Sequence, residues 1–99
     1  MLVVTGTLEL APEGVEAMKA AGITMARATR QEPGCRVYAF RQDIETPTRF
    51  RVYEEWDSAD ALKAHGQAPH MAEFRAALAK AGVQARDIYC FEPGPATRL

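Results

Sequence analysis

What most constrains this chain is the order in which its apolar residues change period. In LVVTGTLEL, Leu2, Val4, Leu8 and Leu10 share one parity, while Val3, Thr5, Thr7 and Glu9 share the other. That is the period of two of a strand. Pro12 then permits a helix start, and Val15, Met18, Gly22, Met25 and Ala26 recur at helical spacing toward a stop near Gln31, before Pro33-Gly34. CRVYAFR, residues 35–41, is rich in β-branched and aromatic types and predicts a second strand. RFRVYEEW, residues 49–56, predicts a third, with Phe50, Val52 and Trp56 on one parity and Tyr53 on the other. Asp57 and Ser58 are both suitable N-caps for a short helix over Ala59 to His65 that Gly66 stops. Pro69 opens another helix, whose Met71, Phe74, Leu78 and Ala81 form one apolar stripe ending at Gly82. Val83 to Phe91 returns to strand before Pro93-Gly94-Pro95.

The resulting order, β-α-β-β-α-β, is an α+β, ferredoxin-like split motif whose second crossover is a broken helix pair. It orders an antiparallel sheet 4-1-3-2. At 99 residues one domain, 1–99, is expected rather than a two-domain enzyme. Helices can cover only one face of so small a sheet, yet apolar groups occur on both: Tyr38 and Phe40 oppose Val37 and Ala39, and Tyr53 opposes Val52. A second copy of the sheet is the simplest cover, so a face-to-face homodimer with Tyr53 in its interface is expected.

Charge narrows the partners. Twelve Lys+Arg against thirteen Asp+Glu give a net −1, so no basic field exists for nucleic acid or anionic lipid. The segment MLVVTGTLEL lacks the basic start of a signal peptide, and no apolar run approaches the roughly 18 residues of a membrane span. A cytoplasmic location is therefore expected. Cys35 and Cys90 fall on opposite sheet edges, about three strand spacings apart. That is too far for a disulfide, and neither belongs to a metal-ligand spacing, so both read as ordinary thiols.

Five residues carry possible chemistry. Glu54, if it lies on the helix-covered face between Val52 and Trp56, is a carboxylate among apolar neighbours and a possible acid or base. If it lies at the rim, it is an ion-pair partner. Trp56 ends its strand just before a helix cap and is either a core residue or the wall of a pocket for an aromatic ligand. His65 shares a helix face with Leu62 and points inward. His70 stands four residues before Phe74 at a helix start, where the dipole disfavours a protonated ring and leaves a neutral base. Each histidine alone also fits a surface or satisfied core role. Together with Trp56 and Phe74 they are expected to line one pocket between helices and sheet. No Ser-His-Asp set, Gly-rich phosphate loop, HExxH or dinucleotide fingerprint is present. Nicotinamide and flavin folds are thereby set aside. No bound metal, flavin or haem is expected, since two histidines separated by a Pro-containing loop are a poor ligand pair. Arg49 and Arg51 read as a solvated or dimer-facing row.

Taken in order, EPGCRVYAFRQD at 32–43, RFRVYEEWDSADALKAH at 49–65 and PHMAEFRAAL at 69–78 resemble the antibiotic biosynthesis monooxygenase family over nearly the whole chain. The resemblance implies a dimeric α+β barrel with a pocket in each subunit. It also implies cofactor-free oxidation of a phenolic or quinol-type aromatic by dioxygen, with Trp56 stacking on the ring and His65 or His70 taking the phenolic proton. Haem-degrading relatives carry a first-strand Asn and a helix His; those positions fall here on Gly6 and near Arg75, so the resemblance does not extend to haem. Two other readings stay open: a non-redox isomerase or detoxifying enzyme on a small polar metabolite, and a binding or stress-response module without catalysis.

Overall fold

The structure is a computed structural model that describes residues Met1–Leu99. Its elements run β1 (Leu2–Leu10), a 3-10 turn (Pro12–Gly14), α1 (Val15–Thr29), β2 (Cys35–Gln42), β3 (Arg49–Trp56), α2 (Ala59–Gly66), α3 (Pro69–Ala81) and β4 (Val83–Phe91). All strand pairs are antiparallel, in the order β2-β3-β1-β4. This is the expected ferredoxin-like sheet, read from the other edge. The central strand β1 pairs Val4 with Glu54 on one side and Cys90 on the other.

Local chemistry moves several boundaries. α1 stops at Thr29 rather than near Gln31, because the Gln31 and Glu32 amides donate to Ala28 and Thr29 carbonyls in tight three-residue turns. The residue before Pro33 is disfavoured in helical conformation, so the chain leaves the helix there. β2 extends to Gln42, which pairs with Phe50. Ser58, not Asp57, caps α2: its Oγ accepts from the Ala61 amide at 3.1 Å, while Asp57 is taken by Arg36.

α1 and α3 cover one face of the sheet. Leu8, Leu10, Met18, Met25, Tyr38, Phe50, Val52, Trp56 and Phe74 are buried there. Gly6 lets the edge strand β4 approach the central strand β1: its φ is +154°, and a Cβ at that point would lie 2.0 Å from the Asp87 carbonyl oxygen. The other face is open. Val37, Tyr53, Tyr89 and Phe91 remain between 37% and 52% exposed on it. Cys35 and Cys90 sit on the two edge strands as free thiols. No helix is long and apolar enough to cross a membrane.

Candidate active site

Between α2, α3 and the covered face of the sheet lies a cavity of about 290 Å³ with mostly apolar walls, among them Val4, Leu8, Tyr38, Phe40, Val52, Leu62, Met71, Phe74 and Ile88. An apolar void of about 150 Å³ already holds a benzene ring, so the space suits a small aromatic. Glu54 and His65 supply polar groups near its base, and Arg75 and Arg86 also line it. Arg75 is committed elsewhere, donating from Nη2 to the Gly66 carbonyl at 2.9 Å.

His65 is placed by several neighbours. α2 starts directly after β3, so its last turn folds back over the end of that strand, and the imidazole lies on the Trp56 indole with ring centroids 4.7 Å apart. The Tyr38 ring stands 5.4 Å away on another side. Within the chain, Nδ1 of His65 has a single polar partner, Oε2 of Glu32, at 2.7 Å. Nε2 has none and is not sealed from the cavity. A carboxylate only accepts, so Nδ1 carries a proton, and in the neutral ring Nε2 is the nitrogen left with its lone pair.

Glu32 owes its position to the turn that follows it. Gly34 adopts a left-handed φ of +84°, and a Cβ there would fall 2.6 Å from Ala61 Cβ on α2. The Gly34 carbonyl accepts from the Asp57 amide at 2.8 Å, pinning the turn to the end of β3 and the start of α2. The same Oε2 of Glu32 also lies 2.8 Å from Nε2 of His70. One oxygen therefore receives two imidazole N–H groups.

Glu54 is 6% exposed, on the helix-covered parity that the alternation allowed. Its Oε1 accepts from the Trp56 indole N–H at 2.8 Å. Burial pushes the Glu54 carboxyl above its ordinary range, and the Trp56 bond and the neighbouring His65 pull partly back. Burial, followed by Glu54 and Glu32, likewise raises the Tyr38 phenol. Tyr38 thus stays a protonated donor, and its hydroxyl has no partner within the chain.

The expected single pocket is redrawn by this geometry. His65, Glu54 and Phe74 line the cavity. Trp56 does not: it is fully buried beneath His65, and its N–H is occupied by Glu54. His70 lines a separate hollow of about 270 Å³ between α1 and α3, with Phe74 as the shared wall. The two histidines meet through Glu32 rather than through a common cavity. Glu32 and Tyr38 were not singled out from the sequence as site residues. Glu32 stood 33 positions before His65, and the one signal toward it was the Pro33-Gly34 turn that follows.

Residues 1–77 match the family model described as antibiotic biosynthesis monooxygenase. A solved structure of a Deinococcus radiodurans protein named for that family is 30% identical, with a TM-score of 0.93, covering 100% of this chain and 98% of the other. A Caulobacter crescentus structure named likewise is 25% identical at a TM-score of 0.88, covering 95% and 90%. An uncharacterized protein of Synechocystis sp. is 34% identical over 73 residues, 74% of this chain. The chain spans about half the length of that relative.

Proposed function

Because the chain belongs to the antibiotic biosynthesis monooxygenase family, we propose that it oxidises a small phenolic or quinol-type aromatic with dioxygen, without a resident cofactor. The observation that carries the reading is His65: Nδ1 is fixed by Glu32 and Nε2 is free at an apolar cavity. A phenol of pKa near 10 gives little phenolate in neutral water, and a positioned imidazole is the usual acceptor for its proton. In this reading the substrate O–H donates to Nε2 of His65, and the electron-rich phenolate so formed reduces dioxygen. One oxygen atom enters the ring and the other leaves as water, so a phenol and O2 give a quinone and H2O, and a quinol and O2 give a hydroxyquinone and H2O. The dry walls keep the phenolate reactive and limit side reactions with water. Phe74 and the Tyr38 ring bound the aromatic, and the Tyr38 hydroxyl is a donor for its second oxygen. Trp56 supports the His65 ring from behind. His70 acts through Glu32 as a positioning residue, holding the carboxylate that sets the His65 tautomer.

The dimer belongs to the same proposal. Packing two open sheet faces together would cover Val37, Tyr53, Tyr89 and Phe91, whose exposure costs roughly 25 cal/mol per Å² of apolar surface. An enzyme acting on a small polar metabolite would need several cationic groups turned into the cavity, whereas Arg75 is bonded to Gly66, Arg86 stands as the other cation, and apolar side chains dominate the walls.

The test is oxygen uptake over a panel of hydroquinones, naphthols and anthrone-type phenols, using protein stripped of metal and flavin. Uptake with appearance of the matching quinone is expected for at least one ring system. No uptake with any of them, alongside intact folding, would sink the reading.

A further inference from the structure

Glu32, His65 and His70 come from the turn before β2, α2 and the start of α3, and they bring one carboxylate oxygen and two ring nitrogens together. Their donor atoms all lie within 4.8 Å of one another, with the two O–N separations at 2.7 and 2.8 Å. Two imidazoles and a carboxylate are the donor set of zinc and neighbouring borderline cations, not of magnesium or calcium, which prefer all-oxygen surroundings. With bonds of about 2.0–2.2 Å, a tetrahedral ion sets its ligand atoms roughly 3.3 Å apart. Opening the two O–N separations by about half an ångström, with the two ring nitrogens, already within 4.8 Å, brought to the same spacing, would reach that arrangement. His70 has the freedom to give, since its side chain is 22% exposed against 4% for His65. Its exposure and that of Glu32, 14%, also leave a route for the ion and for a water as fourth ligand.

We infer that Glu32, His65 and His70 form a binding site for one zinc-class divalent cation, completed by water, and that occupancy reverses the tautomer of His65. The ion takes the nitrogen lone pair at Nδ1 of His65 and at Nε2 of His70. Each neutral ring keeps its single proton, now on the nitrogen remote from the ion. The cavity then faces an N–H donor at His65 in place of a lone pair. The cation site stands on its own geometry. Its consequence, that zinc silences the base, rests on the function proposed above.

Binding and tautomer can be read without a substrate. The metal-stripped full chain is titrated with Zn2+ against a chromophoric chelator, and separately with Co2+ for its absorption spectrum. One equivalent is expected to bind, and the cobalt spectrum is expected to show a four-coordinate nitrogen and oxygen set without a thiolate charge-transfer band. Glu32→Gln and His70→Gln should each weaken zinc by at least about tenfold. His70→Gln guards against a merely unfolded variant, because His70 is the most exposed of the three, and its melting curve checks that. Long-range nitrogen NMR should show Nε2 of His65 gaining a proton as zinc is added. Wild-type affinity no tighter than that of the two variants would overturn the site. So would a thiolate band placing the ion at Cys35 or Cys90, or an Nε2 signal indifferent to zinc. Oxygen uptake is then measured with and without zinc: a protein that binds zinc as described yet oxidises no phenol would refute the function and leave the site standing.

Discussion

The two faces of the one sheet are built from the same strands and treat polar groups in opposite ways. On the covered face, Glu54 stands between Val52 and Trp56 and gives one oxygen to the indole N–H, while His65 above it is anchored through Glu32. On the open face, Arg41 and Arg51 stand directly opposite each other across β2 and β3. With Arg49, Glu9 and Asp43 they surround a wet hollow of about 430 Å³. Tyr53 there donates to Glu55 at 2.7 Å but remains 37% exposed. The contrast shows where specificity resides. Polar groups that are few, buried and individually partnered hold fixed orientations and fixed protonation. Charged groups on a wet strand are screened, and each contributes little.

The largest expected effect lies on the covered face. His65→Ala should reduce turnover of a confirmed substrate by about 10² to 10⁴, the range for loss of a general base, with binding less affected; steady-state oxygen uptake separates kcat from KM. His70→Ala should cost less, because Glu32 still holds Nδ1 of His65. Equal losses would contradict the distinction between a base and a positioning residue.

Next comes the support beneath the base. Trp56→Ala removes the largest fully buried side chain and should destabilise the fold by about 3–5 kcal/mol, measured by urea unfolding. A loss under about 1 kcal/mol would mean that the covered face tolerates repacking as freely as the open one.

The open face should respond in assembly instead. Tyr53→Asp puts a charge at the middle of the apolar strip and is expected to shift a dimer toward monomer in sedimentation at micromolar concentration, with monomer stability little changed. A wild-type protein that sediments only as a monomer would refute the dimer.

The smallest effect is the pH dependence set by Glu54. Burial raises its carboxyl above the ordinary 4.5, so the folded protein keeps the proton to a higher pH than the unfolded chain. The linked stabilisation is complete below about pH 4.5 and is lost as pH rises through the folded value. Glu54→Gln, which can still accept from Trp56, should therefore gain on wild type as pH increases from 4.5 toward 8, read from urea midpoints. Parallel curves would show that burial does not raise the Glu54 carboxyl.

How much of this was legible in the sequence follows from how local each determinant is. Strand parity and helix stripe are properties of neighbouring residues, so the element order, the sheet order and the inward face of His65 could be read directly, while parity left Glu54 open between the covered face and the rim. The Pro33-Gly34 turn was visible as punctuation, but its consequence was not. It swings Glu32 onto two histidines more than thirty positions away, and no spacing rule reports such a meeting. The same limit placed His70 in the wrong pocket. A shared helix face with Phe74 is local, whereas which side of α3 meets α1 depends on how two helices pack on the sheet. Trp56, ending a strand beside a cap, fits either the core or a pocket wall by sequence, and α2 folds over it and leaves it fully covered.

The central claim is that Glu32 fixes His65 with its proton on Nδ1 and a bare Nε2 facing the cavity. Long-range proton–nitrogen NMR on metal-free protein, with His65 assigned by comparison with His65→Gln, tests it most directly. The expected spectrum shows a protonated Nδ1 and an unprotonated Nε2 at neutral pH, with that preference lost in Glu32→Gln. A His65 ring carrying its proton on Nε2, or one whose tautomer is unchanged when Glu32 is replaced, would contradict the account.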